Sequence, residues 1–347
     1  MNFARSAARH LTLSLVSCCA LVAMNGIAHA GDGLRFSVLE ENDSLYLNSD
    51  RHYTQGLRLS ELSPAIGSKS AWNGPFSLAS AIAPIFSQDG GGEHSRRTAL
   101  FLGQSIFTPK DLTLQPPDPR DRPYGGWLYA GASLLQETDQ RMLENLEVAV
   151  GVVGPGALGR QVQNDFHQFI GIGQAKGWSH DIQTEPGLLL TYERLWRLPL
   201  IGNGNAGLDI VPQLGATVGN VFTYGAAGAM LRIGKNLGAD YGPARIRPAL
   251  SGTDYFDGDH LDGKLGYYLF AGAQGRVVGQ NIFLDGNSFR QSPSVDKKVL
   301  VGDLQAGFSL FWSSDVQVIF SSVYRTREFD GQHSPDMIGT ASIAFTL

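Results

Sequence analysis

Gln163 and His167 stand four residues apart in QVQNDFHQFIGIGQAKGW, residues 161–178. On a helix this spacing puts both side chains on one face, with Ile170 close by on the same stripe. The pattern predicts a helix over 161–178, weakened in its second half by Gly171 and Gly173. A second polar group, Asn42 and Asp43, precedes Thr54 in ENDSLYLNSDRHYTQGLRLS, residues 41–60. A carboxylate, amide oxygens and backbone carbonyls are hard donors, suited to calcium rather than zinc. Brought together, these groups would let His167 act as general base on a water while a bound cation polarises an ester carbonyl. Residue types alone leave plainer readings open, because Asn-Asp dipeptides also make turns and a lone helical histidine also packs at surfaces. No Gly-x-Ser-x-Gly elbow is present, although a Ser-His-Asn set on a barrel does not need one.

Positioning such residues requires a rigid scaffold, and the apolar pattern predicts strands. In LENLEVAVGVV (143–153), Leu146, Val148, Val150 and Val152 share one face, and Asn145, Glu147, Ala149 and Gly151 the other. Leu57 and Leu59 likewise oppose Gly56, Arg58 and Ser60, and Ala341, Ile343, Phe345 and Leu347 oppose Thr340, Ser342, Ala344 and Thr346. An apolar outer face over a polar or small inner face is the signature of a transmembrane β-barrel. Twelve strands are predicted, at 33–42, 53–62, 97–107, 126–138, 143–154, 185–197, 206–218, 222–235, 264–280, 298–311, 314–328 and 337–347. The expected fold is all-β, a closed antiparallel barrel of about 12 strands with a short helix in an extracellular loop. A soluble β-sandwich is the competing reading of the same short strands. Tyr53, Trp127, Tyr129, Trp178, Trp196 and Trp312, near strand ends, favour the membrane version, in which such rings sit at the lipid–water boundary. With both termini in the periplasm, the connections after the first, third and fifth strands face outward, carrying Asn42 to His52, Thr108 to Gly125 and Pro155 to Thr184. Segments 63–96 and 236–263 would fall on the periplasmic side.

Residues 1–30 read as an export signal: Arg5, Arg9 and His10 precede an apolar run from Leu11 to Met24, and Ala28-His29-Ala30 offers a small-x-small cleavage site. Leu15-Val16-Ser17-Cys18 also resembles a lipoprotein box. Cleavage after Ala30 leaves 31–347 as one barrel domain and removes both cysteines, so disulfides, thiol nucleophiles and thiolate metal sites are excluded. Without Arg5 and Arg9 the 27 basic residues become 25 against 32 acidic ones, a net charge of about −7. With no sustained basic stripe, a nucleic-acid partner is not expected. Forty-three glycines and no run of about 20 apolar residues after the signal fit strands rather than membrane helices. GADYGPARIR (238–247) lacks the strand-to-helix setting of a phosphate loop and reads as a packed periplasmic turn. Asp254, Asp257, Asp259 and Asp262 fit no EF-hand spacing and read as a solvated acidic loop.

END (41–43), DRHYTQGLRLS (50–60), VGVVGPGALGRQVQNDFH (150–167) and NLGADYGPARIRP (236–248) resemble the outer-membrane lipid A 3′-O-deacylase family across essentially the whole mature chain. The resemblance implies a 12-stranded barrel that removes the 3′ acyloxyacyl group of lipid A, in lipopolysaccharide, by a calcium-dependent reaction. It also implies His167 as base, Asp43 as the main carboxylate near the metal, and Asn42, Thr54 and Gln163 as groups orienting water, substrate or metal. Tyr53 matches the family's tyrosine-threonine step. Lys110, Arg120, Arg122 and Lys176 on the outer loops are candidates for the lipid A phosphates, with ordinary solvated charge as the alternative. The terminal strand, with an aromatic near its end, resembles the signal read by the outer-membrane assembly machinery. Two departures stand out: Gly173 occupies the position of a family glutamate, and the family's lysine in the third-strand loop has no unambiguous counterpart beyond Lys110. A non-catalytic barrel, either pore or surface-binding protein, and an outer-membrane phospholipase are the rival readings.

Overall fold

The computed structural model describes residues 33–43, 51–86, 94–139, 141–202, 206–250, 253–258 and 261–347; the expected signal and its cleavage point lie outside these. The strands are β1 (Arg35–Asn42), β2 (His52–Leu62), β3 (His94–Thr108), β4 (Gly125–Thr138), β5 (Met142–Val153), β6 (Glu185–Trp196), β7 (Leu198–Gly202), β8 (Ala206–Gly219), β9 (Phe222–Lys235), β10 (Leu265–Asn281), β11 (Leu300–Trp312), β12 (Val316–Arg325) and β13 (Asp336–Thr346). Apart from β6 and β7, which do not pair with each other but both pair with β8, each strand pairs antiparallel with its sequence neighbours, and β1 pairs with β13. The ring therefore closes as a 12-stranded barrel in which β6 and β7 are one strand interrupted at Arg197. The interruption has a backbone cause. The register places Pro212 opposite Trp196, and proline donates no N–H to the ladder. Arg197 then turns inward to Glu137, 2.8 Å away.

Alternation sorts the wall as expected. Leu100, Leu102, Val148, Val150, Leu188 and Leu190 are exposed outside, whereas Arg58, Ser60, Asn145 and Glu147 are buried inside. A continuous apolar exterior is stable only against lipid. Among the described residues no helix is long and apolar enough to cross a membrane.

The aromatic expectation is corrected. Tyr53, Trp127, Tyr129 and Trp178 are all buried, and Trp127 stacks on Tyr129 with centroids 5.4 Å apart. Trp127 and Tyr129 occupy lumen-facing positions of β4 and fill the interior instead of girdling it, while Trp312 is exposed.

The second correction concerns residues 236–250 and 253–258, which fold into the lumen. Arg245 reaches Glu41 (3.0 Å) and Asp303 (3.2 Å), and Arg247 pairs with Glu193 and with Glu147 (3.4 Å). Tyr241 and Tyr255 each donate to Glu137 at 2.7 Å. Asp254 and Asp257 belong to this plug, next to Arg58 (3.2 Å) and Arg97 (3.9 Å), and are not a solvated loop; Asp259 lies outside the described residues. Inward carboxylates on β1, β5, β6 and β11 need buried cations, and the plug supplies them.

Two further helices were not legible in the sequence. α1 (Asn73–Ile82) lies in the β2–β3 connection. After α2 (Gly159–Ile170), described below, α3 (Ile282–Asp285) closes the end of the lumen opposite the termini, with Phe283 stacked 4.1 Å from Phe107.

Candidate active site

The predicted helix forms, but as α2 it ends at Ile170 rather than 178. Gly171 takes φ 78°, the left-handed conformation that terminates a helix, and the amide of Ile172 returns to the His167 carbonyl (3.0 Å). A short 3-10 turn follows at Gly177–His180.

Gln163 and His167 are buried, while Phe166 and Phe169 on the other side are exposed, Phe169 to 83%. The helix thus turns its polar stripe to the barrel and its rings outward. It packs over the rim ends of β3 and β4. The approach is close at Gly126 of β4, where an added Cβ would stand 3.0 Å from the Ala157 Cβ. Gln104, on the outer face of β3 in line with Leu100 and Leu102, donates to the Ala157 carbonyl at 2.6 Å and ties down the approach to α2. This polar break in a lipid-facing stripe is a sequence signal that marks the helix seat. Replacing Gln104 with leucine should detach the start of α2 and leave the barrel closed. Faster proteolysis near Gly154–Gly159 at an unchanged unfolding midpoint would show it, and unchanged cleavage would refute it.

Nδ1 of His167 lies 2.8 Å from the Gly173 carbonyl oxygen. A carbonyl only accepts, so Nδ1 carries a proton in this bond. Gly173, where the resemblance expects a carboxylate, thus contributes through its backbone. Asn164 holds the same return loop by accepting from the Ala175 amide (2.9 Å), and Trp178 donates its indole N–H to Gln163 Oε1 (2.8 Å).

Across the rim, β1 alternates so that Glu41 faces the lumen and Asn42 the outer side; Asp43, just beyond, is buried and accepts from the Arg51 amide. Thr54 is the extra residue of a bulge between Tyr53 and Gln55 and bonds Thr108 at the end of β3 (2.7 Å). Thr108 had no motif to reveal it. Thus α2 brings Gln163 and His167 together over β3–β4, and Asn42, Asp43 and Thr54 gather on the neighbouring strand ends of the same rim.

Lys110 and Lys176 are exposed in the loops above, which are joined through the Lys176 amide and Leu112 carbonyl (2.9 Å). Arg122, by contrast, is only 1% exposed; it faces Glu328 at 3.5 Å and lies over the Phe107 ring. Nearby, His52 is held between Asp336 (2.9 Å) and Asp121 (3.5 Å). Burial pushes the Asp121 carboxyl up, but hydrogen bonds from His52 and the Lys110 and Arg122 amides outweigh it and hold it below the usual range. Past α2, burial raises Asp181 to about 6, only partly opposed by hydrogen bonding and Arg160.

The donors at Asp43, Asn42 and Thr54 fit calcium in kind, being oxygens throughout. Among the described residues no three His, Cys, Asp or Glu side chains converge on one point, so amide, carbonyl and water oxygens would have to complete a shell.

Residues 14–347 match the family described as outer membrane protein LpxR. Among solved structures, LpxR from Salmonella typhimurium aligns with a TM-score of 0.69 at 21% identity, over 90% of this chain and 100% of that one. The β domain of the Bordetella autotransporter BrkA gives 0.43 at 11% identity over 91% and 100%, and the translocator domain of NalP from Neisseria meningitidis 0.38 at 11% over 99% and 98%. No curated protein sequence matches the chain. The closed barrel and a family match across nearly the whole sequence lead to one assignment: the chain is an outer-membrane β-barrel of the LpxR family.

Proposed function

We propose that the protein is a lipid A 3′-O-deacylase, hydrolysing the 3′-acyloxyacyl ester of lipid A within the outer membrane. The observation that carries this reading is His167, buried on the barrel-facing side of α2 with Nδ1 donating to the Gly173 carbonyl, which makes Nε2 the ring nitrogen for accepting a proton in the proposed reaction. A seam between an amphipathic helix and a lipid-facing wall suits a substrate whose chains stay in the bilayer while its ester reaches the base.

Nε2 of His167 takes a proton from a water, whose oxygen attacks the ester carbonyl. Collapse breaks the bond to the sugar oxygen, which recovers the proton from the imidazolium, and fatty acid and alcohol leave. Gln163, oriented by Trp178, and Thr54, oriented by Thr108, position the ester and water. Asp43, with Asn42, would hold a calcium ion, which when bound supplies positive charge to the developing oxyanion. Lys110 and Lys176 would meet the phosphates; Arg122 is better read as packing between loops, given its burial. β13 would be the strand offered to the assembly machinery, and residues 1–30 would direct export.

A pore is disfavoured by the interior. Lumen cavities beside Arg58 and Glu147, and beside Gln213 and Gln305, are about 10 Å³ each, room for about one water. Mass spectrometry of lipid A incubated with the purified barrel should show loss of the acyloxyacyl mass with calcium and its retention after chelation with EGTA. Intact lipid A under both conditions would refute the reaction. Release of fatty acid from phospholipid vesicles alone would assign a phospholipase instead.

A further inference from the structure

The helix seam is not the only place where the outer wall is indented. Around the barrel, where β10, β11 and the end of β12 meet the rim, lies an open groove of about 660 Å³. That volume falls in the range of small-ligand sites. Its floor is bare backbone, since Gly275 faces Gly302 directly across β10–β11. Exposed Val277 and Leu300, paired directly across the same two strands, form its wall on the rim side. Beneath it runs the buried side chain of Arg276, whose Nε has no hydrogen-bond partner. At the rim end stand Lys298, paired with Asp330, and Arg327, exposed and without an ion pair among the described residues.

We infer that this groove binds one phosphate-bearing lipid, a lipopolysaccharide of the surrounding leaflet held without being cleaved. One acyl chain lies over Gly275 and Gly302 against the paired side chains of Val277 and Leu300, and the phosphate meets Arg327. The charge is complementary: an exposed guanidinium offers paired N–H donors to phosphate oxygens at the level where an apolar trough ends. The groove opens at the same rim as α2, so it faces the leaflet that supplies the proposed substrate; the choice of lipopolysaccharide over phospholipid rests on that reading. The distance around the ring, from β3–β4 to β10–β12, makes it a separate site.

The floor can be filled without a clash. A Cβ on Gly275 would meet nothing within 4 Å. The test uses the full-length barrel carrying His167→Ala, so that lipid A is not consumed, and counts lipids retained in native mass spectrometry. A second lipid A equivalent should be held, and Gly275→Leu or Arg327→Ser should each reduce it at least ten-fold. The absence of any retained equivalent that responds to these two substitutions overturns the site. Equal retention of phosphatidylglycerol overturns lipopolysaccharide as its occupant. Failure of the deacylase reading would show separately, as unchanged lipid A mass with His167 intact, and would leave in place the equivalent that Gly275→Leu and Arg327→Ser remove.

Discussion

His167→Ala should lower lipid A deacylation by about 10²- to 10⁴-fold, the usual contribution of a positioned general base. The loss should fall on kcat, because the imidazole acts on water in the transition state and is not a contact for the acyl chains. Folding should survive, since α2 lies outside a ring closed by strand pairing alone. Lipid A mass spectrometry gives the rate, and the heat-dependent shift in gel mobility reports the barrel. A variant that is folded and equally active would remove His167 from the chemistry. The same experiment bears on Gly173. Its carbonyl accepts from Nδ1 of the imidazole, so a side-chain carboxylate at that position is not needed to hold the ring for the proposed step.

The wall was legible because period-2 alternation is a local signal. Val148, Val150, Ile343 and Leu57 go outward wherever Glu147, Thr340 and Arg58 go inward, whatever the loops do. The seat of Gln163 and His167 was legible for the same kind of reason, a spacing of four on one helix. What failed was non-local. Tyr53, Trp127 and Tyr129 lie near strand ends, and composition cannot tell a ring in a lipid girdle from a ring in the lumen. Strand parity could have done so, because Trp127 and Tyr129 alternate with Leu128 and Ala130. GADYGPARIR looked like a turn because its partners, Glu41, Glu147, Glu193 and Asp303, are scattered along the chain. Thr108 joined the site only through a bulge opposite Tyr53 and Thr54, which no local pattern announces.

Asp303→Ala should be the most damaging substitution inside the barrel. Its carboxylate meets three guanidiniums, Arg245 at 3.2 Å and Arg276 and Arg325 at 2.9 Å each. All are buried, and removing one member of a buried pair typically costs about 3–5 kcal/mol because the partner charge remains out of water. Here three charges are left, with Glu41 and Glu328 as the remaining acids in contact. The variant should unfold at a markedly lower urea concentration than the parent. Because Arg245 anchors the plug to β11, it should also admit small ions in planar bilayers where the parent does not conduct. Adding Arg245→Ala removes one uncompensated charge and should restore part of the stability, so the two losses should be far from additive. Strict additivity, or an Asp303→Ala barrel as stable and as closed as the parent, would mean that the plug is held by its packing of Tyr241, Ile246, Leu250 and Tyr255 and that the ion network contributes little. Partial recovery in the double variant together with persistent conductance would place the two roles apart: the charge cluster would set stability, and Arg245 would hold the plug in the lumen.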